Sequence, residues 1–333
     1  MTVSIVIATY NRAALLADCL AHLARQSYAD GDEVIVVDNA STDGTARVIE
    51  GARRRFPIPL RHLEEPIPGK SRAVARAVEV ASGDILAFTD DDVNVANGWL
   101  TALRAAIGDP AVALVGGPVA PRWESPPPRW LRRATESYGP LAAPLALLDY
   151  GPSVVDLGVR TVIGANMAVR RTIFMQIGGF APHLGKLRGS LLSGEDRELC
   201  RLVQACGSRA IYCPDAAVRH WVPADRMRLR YYLSWFFWSG ITHATLDADQ
   251  RVAQRTVMGV PRYLIRRAAV GTAGAFAALI ACNVVTAVER ALDVAFASGY
   301  ASQVWRAPRP AKDLDDGDTQ VLAASESGDG GGR

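Results

Sequence analysis

Three short, almost wholly apolar runs constrain this chain more than any other feature: Val3–Ala8 (VSIVIA), Glu33–Val37 (EVIVV) and Ile85–Phe88 (ILAF). None alternates apolar with polar residues, so each reads as a strand buried on both faces, the kind found in parallel sheets. Helical spacings lie between them. Leu15, Leu16, Cys19, Leu20 and Leu23 share one face of residues 13–27, Thr45–Phe56 reads as a second helix stopped by Pro57, and Ser71–Ala81 as a third. Leu60–His62 predicts a further strand. This order gives an open, mainly parallel α/β sheet, whose ligands sit beyond the carboxyl ends of the strands. Thr9–Arg12, Asp38–Asn39 and Asp90–Asp92 all fall there.

The third run ends in three consecutive carboxylates, Asp90, Asp91 and Asp92. Like charges at the tip of a buried strand repel one another and are costly unless something positive sits beside them. On an extended chain Asp90 and Asp92 point one way and Asp91 the other. Two carboxylates on one side suit an oxygen-preferring divalent cation, Mg²⁺ or Mn²⁺. A solvated acidic turn is the competing reading.

The remaining pattern is coarser. Trp99–Ile107 predicts a helix and Val112–Val115 a strand, while Pro118–Trp130, with five prolines and two tryptophans, reads as a loop. Thr161–Val169, Ala210–Cys213 and Ala217–Val218 read as strands and Glu195–Cys206 as a helix. From Arg226 to about Trp305 the pattern is helical, and 307–333 is an Asp-, Gly-, Ser- and Ala-rich tail expected to be disordered. The expected division is therefore an α/β domain over 1–223, a helical region over 224–306 and the tail.

A net charge of +3, with no basic stripe, argues against nucleic acid as a partner. Five scattered cysteines and no leader pattern before Val3 point to reduced thiols and a cytoplasmic protein, with the inner face of the membrane as an alternative. Gly271–Val288 carries no charge for eighteen residues, the lower limit for a membrane span. It is rich in Ala, Gly, Val and Thr and follows Arg262, Arg266 and Arg267. An interfacial helix pair with peripheral membrane contact, a true span and a homodimer surface are all open at this point.

Seven stretches in order, SIVIATYNR, VIVVDNASTDGT, GKSRAVARAVEVASGD, FTDDDV, GANMAVRRTIF with GGF, SGEDRELCRL and PDAAVRHW, resemble the inverting glycosyltransferases of sequence family 2. The resemblance runs from Val3 to about Gly240 and implies the GT-A fold. It implies a nucleoside-diphosphate sugar donor and a glycan, lipid-linked or other small acceptor. Tyr10 would stack on the nucleobase. Asp38 and Asn39 would bond the base or ribose; Asn39, where many relatives have Asp, leaves UDP and TDP donors both open. Ala8 and Arg12 would border the donor, and Lys70 and Arg72 would steady its phosphates or sugar.

Within the same resemblance, Asp90 and Asp91 would face the donor, and Asp92 with His220 would ligate Mg²⁺ or Mn²⁺. Asp196, after Glu195, would be the general base, in a helical first turn that favours its ionised form. Asn166 and Glu195 would lie on the acceptor side, with Trp123 and Trp130 forming an acceptor lid or a hydrophobic plug. Ala75, where the family usually has Asn, and Ala8, where it has Pro or Thr, put neighbouring contacts in doubt. Two other classes compete. A sugar-nucleotide pyrophosphorylase needs a Gly-rich loop after its first strand, and Thr9–Arg12 has no glycine. A non-catalytic nucleotide-sugar binder or scaffold would be expected to lack Asp90, Asp92, Asp196 or His220.

Overall fold

The computed structural model describes residues 1–136, 138–180, 194–249 and 255–306. Val3–Thr9 (β1), Ala13–Leu23 (α1), Glu33–Asp38 (β2), Thr45–Arg53 (α2), Leu60–Glu64 (β3), Lys70–Val80 (α3) and Ile85–Thr89 (β4) follow in the alternation read from the sequence. Val93–Val95 (β5), Trp99–Ala106 (α4), Val112–Gly116 (β6), Val119–Trp123 (β7), Arg129–Glu136 (α5), Val155–Asp156 (β8), Asn166–Arg170 (β9) and Arg171–Gln176 (α6) come next. Glu195–Ala205 (α7), Arg209–Tyr212 (β10), Val218–Val222 (β11), Leu229–Asp249 (α8), Thr256–Val257 (β12), Val260–Pro261 (β13), Arg262–Ile280 (α9) and Val284–Arg306 (α10) complete it.

Eight strands form one sheet in the order β3-β2-β1-β4-β9-β6-β10-β8. β1, β2, β3 and β4 are mutually parallel, as are β6 and β10, while β9 runs antiparallel between β4 and β6. Both faces are covered, which is why the three apolar runs carry so little polarity: Ile5, Ile7 and Val36 belong to one core layer, Val6, Ile35 and Val37 to the other. Each such side chain taken out of water contributes about 1.5–3 kcal/mol.

A smaller sheet, β5-β11-β7, lies beside the large one. Its strand β7 and the helix α5 correct the reading of Pro118–Trp130 as a loop. β7 is an edge strand, where Pro121 removes no interior ladder bond, and the three prolines at 126–128 lead directly into α5.

The C-terminal helices pack on the sheet-bearing part. Tyr232 is fully buried and donates its hydroxyl to the Leu141 carbonyl at 2.9 Å, while Gly240 of α8 and Gly299 of α10 bring the two backbones together. A Cβ at Gly299 would lie 1.8 Å from the Phe237 carbonyl oxygen. The two-stranded β12–β13 ribbon interrupts the region read as wholly helical. Residues 271–288 do not form one helix either. α9 stops at Ile280, Cys282 turns the chain at φ 53°, and α10 starts at Val284, so the eighteen charge-free residues belong to two helices joined by a turn. The tail 307–333 lies outside the described residues.

Candidate active site

β4 delivers the acidic triplet to the carboxyl edge of the sheet, and the chain then turns into β5. β11 lies against β5 with His220 opposite Val93, and the Trp221 N–H donates to the Asp92 carbonyl at 2.9 Å. That pairing seats His220 beside Asp92. One ligand atom each from Asp90, Asp92 and His220 lies within 4.8 Å of the others. Asp92 is 3% exposed. Its Oδ2 accepts from Arg12 Nη1 at 2.6 Å, whereas its Oδ1 is buried, 3.4 Å from His220 Nε2, and has no hydrogen-bond partner among the described residues.

The charges at this edge are largely balanced by the protein. Arg12 Nη1 also donates to Asp91 Oδ1 at 2.8 Å, and Thr9 Oγ1 to Asp91 Oδ2 at 2.8 Å. Burial nonetheless pushes the Asp91 carboxyl up to about 6, against the pull of Arg12. Lys70 Nζ donates to Asp90 Oδ1 at 2.5 Å. Burial disfavours the Lys70 cation, but Asp90 and Glu195 outweigh it and hold the ammonium form more firmly than in water.

A narrow cleft opens over this edge, lined among others by Ala8, Lys70, Ser71, Asp90, Gly164, Phe180, Glu195 and Asp196. Gly194 leads into α7, which carries Glu195 and Asp196 in its first turn. Glu195 accepts from Ser71 Oγ at 3.2 Å. The Asp196 carboxylate lies against Gly164, whose N–H favours its ionised form, as does the charge of Lys70. Burial and the neighbouring Glu195 prevail over both and push the Asp196 carboxyl up to about 6. The first-turn position was expected to hold it low; desolvation reverses the sign.

Of the residues singled out in the sequence, Ala8, Lys70, Asp90, Glu195 and Asp196 meet in the cleft, with Asp92, His220 and Arg12 adjoining Asp90. Tyr10 stands at the end of β1 with 42% of its surface exposed, Arg72 is exposed in the first turn of α3, and Asp38 is buried at the end of β2, where it accepts from the Ser41 N–H.

Five of the residues singled out have partners within the protein. Asn39 spends its amide on the loop before α3: Nδ2 donates to the Glu65 and Ile67 carbonyls and Oδ1 accepts from the Gly69 N–H, all at 2.8 Å. Asp91 accepts from Thr9 Oγ1 and from Arg12 Nη1. Asn166 is fully buried, accepting from Trp99 Nε1 and donating to the Pro118 and Ala216 carbonyls. Trp123 and Trp130 pack against the apolar cluster of Leu131, Leu145 and Tyr232, with the Trp130 ring 5.2 Å from that of Tyr232.

Gly164, Ser71 and Phe180 line the cleft without having been singled out. Gly164 and Phe180 sit in quoted stretches, GANMAVRR and GGF, but nothing local marks a glycine that must face a carboxylate 32 positions later.

The family model for Glycosyl transferase family 2 matches residues 4–178. The succinoglycan biosynthesis protein ExoM of Rhizobium meliloti (strain 1021) is 30% identical over 251 residues, 74% of this chain and 76% of that protein. The glucosyl-dolichyl phosphate glucuronosyltransferase of Haloferax volcanii is 25% identical over 258 residues, 74% of this chain and 78% of its own. A solved mannosyltransferase, PcManGT from Pyrobaculum calidifontis in complex with GDP-Man and Mn²⁺, superposes with a TM-score of 0.61 at 21% identity, covering 91% of this chain and 87% of that one, and so shares the fold. The sheet, the strand-end acids and these likenesses together place the chain in glycosyltransferase family 2, as a glycosyltransferase of GT-A fold.

Proposed function

We propose that the chain is a divalent-cation-dependent inverting transferase. It moves a sugar from a nucleoside diphosphate, UDP- or TDP-linked, to a hydroxyl of a glycan, lipid-linked or other small acceptor. One observation carries the reading: Asp196 and Asp90 line the same cleft, and Asp92 and His220 stand against Asp90. The catalytic unit is residues 1–223, with the helices of 224–306 packed on it.

Asp92 Oδ1, Asp90 and His220 fit a divalent ion, because a buried carboxylate oxygen with no hydrogen-bond partner among the described residues lies beside an imidazole and a second carboxylate. Bound there, Mg²⁺ or Mn²⁺ would offset the charge of a departing diphosphate. Arg12 holds Asp92 by its other oxygen and fixes the direction of Oδ1. Lys70 places a cation between Asp90 and Asp196, where a sugar phosphate would lie. Asp196 accepts the proton of the acceptor hydroxyl as that oxygen attacks the anomeric carbon from the face opposite the leaving group. A positioned base of this kind contributes about 10²–10⁴-fold. Tyr10, exposed at the end of β1, offers a ring for the base to stack on.

Thermal stabilisation of the purified chain by UDP-, TDP- and GDP-sugars, with Mn²⁺ and then with EDTA, tests the donor and the ion together. We expect one nucleotide to raise the melting temperature only with the cation, and the product to carry the inverted anomeric configuration. No stabilisation by any donor, or retention of configuration, would overturn the proposal.

A further inference from the structure

The α9–α10 hairpin ends in an apolar tip. Phe276, Leu279, Ile280 and Val284 are 67%, 60%, 87% and 55% exposed. The first three fall at i, i+3 and i+4 of α9 and so share one face, and Val284 opens α10 across the turn. α9 is 19 residues long with mean hydropathy 1.3, yet only 17% of its apolar window is buried, unlike a core helix. From Ala268 to Val288 the hairpin has no charged residue.

The backbone N–H groups of its turn are bonded within the hairpin. The Ala281, Cys282 and Asn283 N–H groups donate to the Ala277, Leu279 and Ala278 carbonyls, and the Thr286 N–H donates to Asn283 Oδ1. Thr272 Oγ1 donates to the Ala268 carbonyl at 2.9 Å. A turn that satisfies its own hydrogen bonds can leave water without a large penalty.

Below the tip stands a basic rim. Arg290 lies against Gly274, and Arg267 and Arg290 both reach Asp293. Arg262 and Arg266 are exposed on the first turns of α9, about 18 and 12 Å further from the tip than Gly274, so Arg290 and Arg267 form the rim and the other two stand behind it. Past Gly274 the helix rises about 10 Å to its end, the depth to which interfacial helices enter a leaflet. The charge-free part of α9, Ala268–Ile280, is about 20 Å long and cannot cross a hydrocarbon core of about 30 Å.

We propose that this tip inserts into one leaflet of an anionic phospholipid membrane, with the arginine rim at the headgroups. The alternative occupant, a second copy of the chain, fits less well. Stable protein interfaces take about 800 Å² from each partner, and the end of a two-helix hairpin is convex and narrow, a shape that lipid surrounds more readily than a protein face does.

The full-length purified chain tests this, with Cys206→Ser leaving Cys282 as the exposed thiol for an environment-sensitive fluorophore. On adding vesicles of phosphatidylcholine with phosphatidylglycerol, we expect blue-shifted, brighter emission and co-sedimentation, both weaker on pure phosphatidylcholine. Ile280→Glu, at a surface position, should weaken partitioning at least about tenfold, and Arg290→Gln, level with Gly274, should weaken the preference for anionic lipid. Unchanged melting temperatures in these variants show that the fold is intact. Failure to bind either vesicle, or binding indifferent to Ile280→Glu, overturns the proposal. So does a dimer in sedimentation that Ile280→Glu dissociates while no vesicle binds, which would assign the tip to a second copy.

Discussion

A methyl group added at Gly164 would lie 2.6 Å from Asp196 Oδ1 and 3.4 Å from its Cγ. The glycine precedes β9 and the carboxylate opens α7, so the bare Cα is what lets the two elements meet with the carboxylate turned into the cleft. Gly164→Ala therefore displaces Asp196 without touching the acids of β4. We expect kcat to fall about 10²-fold, the loss typical of a misplaced catalytic group, with donor stabilisation in Mn²⁺ unchanged. Full activity would show that the carboxylate position is unimportant.

Asp196 titrates near 6, and as a proton acceptor it works only when ionised. Turnover should therefore fall as the pH drops through about 6. Glu195 raises this pKa and Lys70 lowers it, so the acid limb should move down in Glu195→Gln and up in Lys70→Met. Shifts of the same sign in both variants would contradict the assignment. Asp196→Asn should lower transfer by about 10²–10⁴-fold at every pH while retaining donor binding.

Asp92→Asn replaces the buried Oδ1-bearing carboxylate with a neutral amide. Donor-induced stabilisation by Mn²⁺ should shrink, and calorimetric titration of Mn²⁺ with a nucleoside diphosphate should show weaker binding. Undiminished Mn²⁺ dependence would move the ion elsewhere.

Arg12 neutralises two buried acids, Asp91 and Asp92, through one nitrogen. Arg12→Met should cost about 1–3 kcal/mol of stability at pH 8, an amount discounted for the partial exposure of the guanidinium. The loss should lessen towards pH 5, because Asp91 titrates near 6 and its protonation removes part of the repulsion. Denaturant melts of both proteins across that range measure it.

Asn166→Ala leaves Trp99 Nε1 and two carbonyls without their amide partner. A loss of about 1–3 kcal/mol in stability is expected, with little change in acceptor KM. A selective rise in KM at full stability would restore the acceptor role first read for this residue.

How far the sequence could be read depended on what burial does to residue choice. β1, β2 and β4 are covered on both faces, and that requirement appears directly as runs of Ile, Val and Leu. The acids at 90–92 stood out because such a cluster is costly at a strand end. Amides did not announce their partners: Asn39 and Asn166 have bonding groups suited to either a ligand or a neighbouring carbonyl, and tertiary contacts decided for the backbone. β7 and α5 were hidden by prolines that an edge strand and a helix start both tolerate. The pairing of Gly164 with Asp196 joins segments with no shared periodicity, and only the folded chain reveals it.

The ladder between β4 and β9 sets Thr89 opposite Asn166, so Asp90 and Gly164 both lie just past the same end of that pair. The span from the acidic corner to Gly164, against which Asp196 packs, is thus set by strand register, like marks on a ruler, and no hinge is needed to set it. Insertions or deletions close to Asn166 would slide the scale itself, whereas changes in the surrounding loops would only alter what fits along it.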